Sequence, residues 1–436
     1  MNSNDIVDQL KILQEWFLLN QAGNKMIYVV GILIFLALLL VLVSKKYRIP
    51  IVVGYVFLGI LLSVDVIKAL PFLTSTVKNW YIFSLDSFEY ITDIALAFIA
   101  FTIGSELSLK IFKKVGKSIG YITILQGLGT FVVVTAAILA IGQPLYLALI
   151  LGAIASATAP AATVMVLQEY KAKGVLTSMI MAVVGLDDAL ALILFSFIKP
   201  IALIQFKGTG DLSFTHMLAD PLIEILGSIL LGLTIGYISQ KLITDFEDST
   251  KKIMTVVSTI IGCLALSIAI NLSPLITNMA VGFAFRNFAR KNLGIGDYMD
   301  TLTTPLYAMF FILAGTEIRF SRIATAGFFL IAAVYFLSRF LGKIVGASLG
   351  AYIGKAPEKV KKYIGLGLLP QSGVAIAMAY TVQKEFVTAT NDVGMLVFNV
   401  LLFTAALTEV FGPFATKYAI MQAGEAEGTV KRQTQS

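Results

Sequence analysis

Apolar runs close to twenty residues long recur from one end of this chain to the other, and that pattern limits the folds open to it. A helix of about twenty apolar residues crosses the roughly 30 Å of a bilayer's hydrocarbon core. Only 14% of the residues are charged, against about a quarter in a soluble domain. No polar stretch is long enough to fold as a separate soluble unit. The chain therefore reads as an all-α polytopic membrane protein.

The runs place thirteen transmembrane helices at about 26–43, 49–64, 88–106, 118–141, 144–168, 175–198, 219–243, 252–270, 272–289, 304–318, 324–353, 360–382 and 391–419. Residues 1–25 read as an N-terminal amphipathic lead, without the basic start of a signal peptide. The stretch 65–87, with Trp80 and Tyr81, reads as an external amphipathic connection. Residues 26–420 read as a single transmembrane unit, and 421–436 as a short cytoplasmic tail.

Charge sets the orientation. With thirteen spans and the N-terminus outside, 22 of the 33 Lys and Arg fall in inward-facing segments and 9 on the other side. Cytoplasmic loops are enriched in Lys and Arg, so the C-terminus is expected inside a cell (inner or plasma) membrane. The net charge of +7 is thus a topology signal, with no nucleic-acid partner implied. Cys263 lies in an apolar run and His216 in a polar connection, so no disulfide or Cys/His metal cluster is expected.

Two spans carry helix-breaking chemistry at mid-membrane. Span 5 has Pro160 among small and hydroxylated residues, and span 12 has Pro370, Gln371, Ser372 and Gly373 in succession. A proline removes a backbone donor and clashes with the preceding turn. In lipid that is tolerable only where protein or a water-lined cavity satisfies the freed groups. Spans 2–6 and 9–13 are each five helices with the broken one fourth. Repeat one is about 49–198, the linking helices about 219–270, and repeat two about 272–419. Paired interruptions of this kind point to two inverted five-helix repeats with a site at the midplane.

Span 6 then places Asp187 and Asp188 at its centre. A charge there costs about 2.5–3.5 kcal/mol on insertion scales, so two in succession imply function. Neighbouring residues diverge by about 100° around a helix, which lets one carboxylate face a cavity and the other a neighbouring helix. Desolvation disfavours the charged form, so such a carboxylate can release a proton when a hard cation arrives and regain it afterwards. Ser156, Thr158 and the carbonyls around Pro160 offer oxygen ligands. The balancing cation comes from span 11, where Arg339 and Lys343 are the only Lys or Arg outside the loop census. Arg339, nearer mid-span, is the preferred partner of Asp187, and Lys343 the alternative. A lysine partner permits a second proton to travel, whereas an arginine stays charged.

The segments SATAPAATVMVLQEYKAKG, VVGLDDALALILF, RFLGKIVGASLGA and LLPQSGVAIAMA, in this order, together with FTIGSELSLKIFKKVGK, resemble the cation:proton antiporter superfamily, in its branch with paired aspartates on the sixth span. The resemblance covers about 26–420. It implies a homodimer in the lipid bilayer whose mobile core works as an elevator. It also implies Na⁺ at Asp188 as the shared cation and proton carrier, Asp187 paired to span 11, and Thr158 at the crossing of the broken helices. Many electroneutral relatives carry Asn where Asp187 stands, Asp in the position of Ala159, and Glu in that of Thr102, which makes Thr102 a candidate on the ion path. No cofactor and no nucleotide-binding regulatory domain are implied.

The expected function is secondary-active exchange of Na⁺ (or Li⁺) for H⁺, as in pH homeostasis. The alternatives are K⁺/H⁺ antiport and a Na⁺-coupled organic-anion symporter on the same plan, although two carboxylates beside the site repel an anion. An enzyme, specifically an intramembrane aspartyl protease, is not expected, because its dyad needs aspartates facing each other from different helices.

Overall fold

The computed structural model describes residues 26–47, 51–86, 88–107, 109, 116–207, 214–244, 248–289, 295–318, 326–371, 373–388 and 392–426. The expected N-terminal lead, most of the short tail, and Ser372 lie outside them. The regular structure of these residues is helical, apart from a single bridge between Val387 and Asp392. It forms two compact units, one within 1–96 and 300–324, the other within 97–299 and 325–436.

The first unit holds α1 (Met26–Tyr47), α2 (Ile51–Leu61), α3 (Val64–Ala69), α4 (Ser75–Asp86), the start of α5 (Glu89–Glu106) and most of α13 (Ile295–Thr316). Residues 65–87, expected as an external connection, are largely helical. The α4 helix runs nearly into α5, giving an apolar stretch over Ser75–Ser105. The Tyr81 hydroxyl donates to the Leu62 carbonyl at 2.7 Å and anchors α4 to the end of α2.

The second unit continues with α6 (Lys117–Ala140), α7 (Leu145–Ala155), α8 (Pro160–Glu169), α9 (Val175–Lys207), α10 (Phe214–Thr244), α11 (Ser249–Ala269) and α12 (Pro274–Phe288). It ends with α14 (Ala326–Ile353), α15 (Glu358–Tyr363), a 3₁₀ turn (Ile364–Leu368), α16 (Gly373–Glu385) and α17 (Val393–Gln422). Among the described residues, seven helices are long and apolar enough to cross a membrane, or eight if the bent pair Glu358–Leu368 and Gly373–Glu385 is one span. The molecule is a multi-pass membrane protein. Two boundaries differ from expectation. The α9 helix runs through the buried Pro200 to Lys207, and α10 begins at Phe214, so His216 is helical rather than in a connection.

One contact positions the site. Gly342, Gly346 and Gly350 recur every fourth residue along α14, with Gly354 just past its end, a small-residue stripe of the kind that lets membrane helices approach backbone to backbone. A Cβ added at Gly346 would stand 2.9 Å from the Gln126 Cα, and one at Gly350 2.6 Å from the Ile122 Cα. The seam therefore sets α14 directly against α6, with Lys343 on the turn beside Gln126.

Candidate functional site

Both interrupted spans are broken in the structure. The α7 helix ends at Ala155, and Pro160 occupies the first turn of α8, where its missing N–H costs nothing. On the other side the 3₁₀ turn ends at Leu368 and α16 begins at Gly373, the two halves bent by 47°. The breaks are joined to one another. The Ala159 N–H donates to the Pro370 carbonyl at 2.9 Å, and the Thr163 hydroxyl to the Gly367 carbonyl at 2.9 Å. Gln371 reaches from the second break to the Ile154 carbonyl (3.0 Å), while its backbone N–H donates to Thr408 on α17 (3.1 Å).

Arg339 closes this crossing. It is wholly buried, and its guanidinium donates to carbonyls from both breaks: Ala155 (3.1 Å), Ala157 (2.8 Å), Leu369 (2.5 Å) and Pro370 (3.3 Å). These carbonyls lost their helical donors when the spans were interrupted, and the planar, always charged guanidinium supplies replacements in a fixed fork. Tyr335, one turn earlier, donates its hydroxyl to Gln371 (3.1 Å). Glu409 is buried on α17 and, with Asp187, lies within electrostatic reach of Arg339.

One turn further along α14, Lys343 makes the ion pair with Asp187. Its Nζ stands 3.0 Å from Asp187 Oδ2, with both side chains fully buried. The expected preference for Arg339 is corrected here. The ammonium also donates to the Thr158 hydroxyl (2.7 Å), to Gln126 Oε1 (2.7 Å) and to the Ser156 carbonyl. Thr158 and Gln126 each donate in turn to the Asp187 carboxylate, one to each oxygen. Asp187 thus sits in a closed ring of lysine, threonine and glutamine. The physical reason for the exchange of partners is that the guanidinium is consumed by the carbonyl ends of the breaks, which the sequence shows only as prolines.

The remaining candidates divide. Ser156 is buried beside the pair, but its hydroxyl turns back to the Ala153 carbonyl (2.6 Å), so its contribution is a carbonyl. Asp188, rotated from Asp187 on α9, is half-buried and within electrostatic reach of Lys343. Thr102 donates to the Phe98 carbonyl one turn earlier (3.0 Å). Among the described residues, no group of three or more His, Cys, Asp or Glu is arranged to hold a metal ion.

Gln126, Tyr335 and Thr408 were not expected. A glutamine at the middle of span 4 and a tyrosine one turn before Arg339 are both costly in lipid, and that cost was the available signal. The every-fourth-residue glycines were the signal for the α6 to α14 contact.

Known proteins share this arrangement of helices. The chain is similar to the Na(+)/H(+) antiporter NhaH of Halobacillus dabanensis, 26% identical over 291 residues that cover 63% of this chain and 70% of the relative. The Na(+)/H(+) antiporter NhaH of Halobacillus aidingensis is 25% identical over 296 residues, 64% of this chain and 70% of the relative. In fold it resembles the solved structure of the sodium proton antiporter MjNhaP1 from Methanocaldococcus jannaschii at pH 8, with a TM-score of 0.70, 19% identity, and coverage of 91% of this chain and 98% of that one. Residues 31–417 match the family described as sodium/hydrogen exchanger, transmembrane. The motifs, the crossing of broken helices and this match over most of its length agree: the chain belongs to the sodium/hydrogen exchanger family, within the cation:proton antiporter superfamily.

Proposed function

We propose that this protein is a secondary-active Na⁺/H⁺ antiporter in which the cation and the proton compete for Asp188. The observation that carries this reading is the division of labour on α9. Asp187 is fully buried in a ring with Lys343, Thr158 and Gln126, while the next carboxylate, Asp188, is half-buried on the adjacent face. A carboxylate so placed exchanges a proton for a hard cation at little structural cost, because its neighbour keeps the local charge balanced. The relatives named above as Na(+)/H(+) antiporters support the same chemistry and the choice of Na⁺, with Li⁺ as its closest mimic.

Within this proposal the chain crosses a cell membrane thirteen times, N-terminus outside and C-terminus inside. Its two inverted five-helix repeats carry the crossing breaks, and a homodimer supports an elevator motion of the core. No cofactor takes part; Na⁺ and H⁺ are the cargo. Lys343, unlike an arginine, can release a proton from a buried site. A second proton then moves with each cycle, and each net charge couples about 2.3 kcal/mol per 100 mV.

Reconstitution in proteoliposomes with a proton-gradient dye tests the assignment. Sodium addition should collapse the gradient with wild-type protein and leave it intact with Asp188→Asn; undiminished exchange by that variant refutes the carrier role. Clamping the potential should change the wild-type rate if exchange is electrogenic. Replacing sodium by lithium or potassium reads selectivity, and a potassium response equal to that of sodium would overturn the choice of Na⁺.

A further inference from the structure

An open cleft of about 600 Å³ lies between the outer face of α14 and the short helix α15, away from the ion site. The chain makes it by reversing direction at Lys355, which adopts a left-handed conformation (φ 55°) before Pro357 starts α15. One wall is apolar and open: Val345 and Leu349 are each 49% exposed on successive turns of α14, with Leu341 at 57% one turn before them. This wall continues along a membrane-spanning helix, where its neighbours are acyl chains. The rim is different. Tyr352, 69% exposed, stands at the helix end, and Lys361 and Lys362 from α15 face it across the cleft, Lys361 with its Nζ 5.4 Å from the tyrosine ring centre. Ser348 adds a hydroxyl between wall and rim.

An apolar wall running into lipid, an interfacial tyrosine and two cations at one level match the parts of one ligand class. We propose that this cleft is a binding site for an anionic phospholipid, its phosphate held by Lys361, Lys362 and Ser348 and one acyl chain lying along Val345 and Leu349. Glu358 pairs with Lys361 at 2.5 Å, but its side chain is 87% exposed. The Lys361 side chain is 24% exposed, so the pair has its acidic partner in solvent, where it yields to a competing phosphate. The α15 segment as a whole is basic, with Lys355, Lys359, Lys361 and Lys362 against the one glutamate. Basic residues at the end of a membrane helix recognise anionic headgroups, and the cleft adds a seat for the chain.

The site is placed to matter. The α15 helix leads without a break into the 3₁₀ turn Ile364–Leu368, whose Gly367 carbonyl accepts from Thr163 at the crossing. Gly365 of that turn packs on the backbone of Ile344, which itself lines the cleft. A lipid bound here braces the half-helix that holds the second break.

Binding is measured independently of transport. Native mass spectrometry of the full chain in detergent, titrated with dioleoyl phosphatidylglycerol or dioleoyl phosphatidylcholine, gives the two affinities; thermal unfolding with each lipid gives the effect on stability. Wild-type protein should bind phosphatidylglycerol preferentially and unfold at a higher temperature with it. Lys361→Gln/Lys362→Gln should bind it about 30-fold more weakly and each single variant about fivefold, the strength of one lysine near an anionic surface. Lys251→Gln/Lys252→Gln, in the first turn of α11, which packs against α10 and α12, should keep wild-type affinity. Equal binding of the two lipids, or equal loss in the control pair, overturns the proposal. Stabilisation by inorganic phosphate alone, matching that by the lipid, overturns the assignment to a phospholipid.

Discussion

Arg339 and Lys343 stand on successive turns of α14, both wholly buried, and the regions around them are built on different principles. Around Arg339 a permanent cation meets backbone carbonyls from two interrupted helices, and no side chain there has to change its charge for the bonds to hold. Around Lys343 a titratable cation meets a titratable carboxylate, with Thr158 and Gln126 bonded to both. The first arrangement fixes a shape. The second holds charge that can be moved. One helix thus holds both the shape of the crossing and the buried charge pair, one turn apart.

Substitutions can break this contrast. Arg339→Ala should cost most, roughly 3–5 kcal/mol, since it leaves several buried carbonyls without donors around a cavity. Arg339→Lys should recover little of it, because an ammonium does not span both breaks. Thermal unfolding in detergent reads the loss, and a variant as stable as wild type would show that the guanidinium does not hold the crossing. Lys343→Met should cost less than Arg339→Ala, because Thr158 and Gln126 still donate to the Asp187 carboxylate, whereas four carbonyls lose their donor with the guanidinium. Adding Asp187→Asn should then recover stability, as removal of both members of a buried pair is often near neutral. A double variant no more stable than the sum of the two singles would mean that the pair is not coupled.

Smaller effects sharpen the picture on either side of the site. Gly346→Ala forces a Cβ towards the Leu125 carbonyl (2.5 Å) and the Gln126 Cα (2.9 Å), so α6 and α14 must part. It should cost about 1–3 kcal/mol, the usual range for overpacking. Transport should fall further than stability, because Gln126 moves away from Lys343; an unchanged exchange rate would detach the seam from function. Thr163→Val removes only the bond to the Gly367 carbonyl. About 0.6 kcal/mol is expected, the average for such bonds in membrane proteins. A much larger loss would place the joint between the two breaks at Thr163 rather than at Arg339.

Much of this was legible in the residues. Span positions followed from apolar length, and α6, α11 and α12 lie within a few residues of the runs that announced them. Pro160 and Pro370 marked the breaks, and Asp187 in mid-span marked the buried ion pair, since lipid makes each of these features expensive. The stretch 65–87 was legible as an amphipathic connection, while the helices within it and the Tyr81 bond that anchors α4 to Leu62 came only from the structure. Gln126 was missed because the cost of one glutamine in lipid marks it as buried without showing which partner it meets.

The sequence by itself determined that the chain lives in lipid, where it breaks, and which side chains are too costly to be ornamental. All three follow from the price of polar groups in hydrocarbon, a local property of each segment. Which cation serves which partner was decided only in three dimensions. Arg339 and Lys343 share one face of one helix, and the difference between them is what stands opposite. The glycine seam brings Gln126 and Asp187 against Lys343, and the crossing of two distant breaks turns four carbonyls on Arg339. Contacts between segments far apart in sequence depend on packing, and no single segment records them.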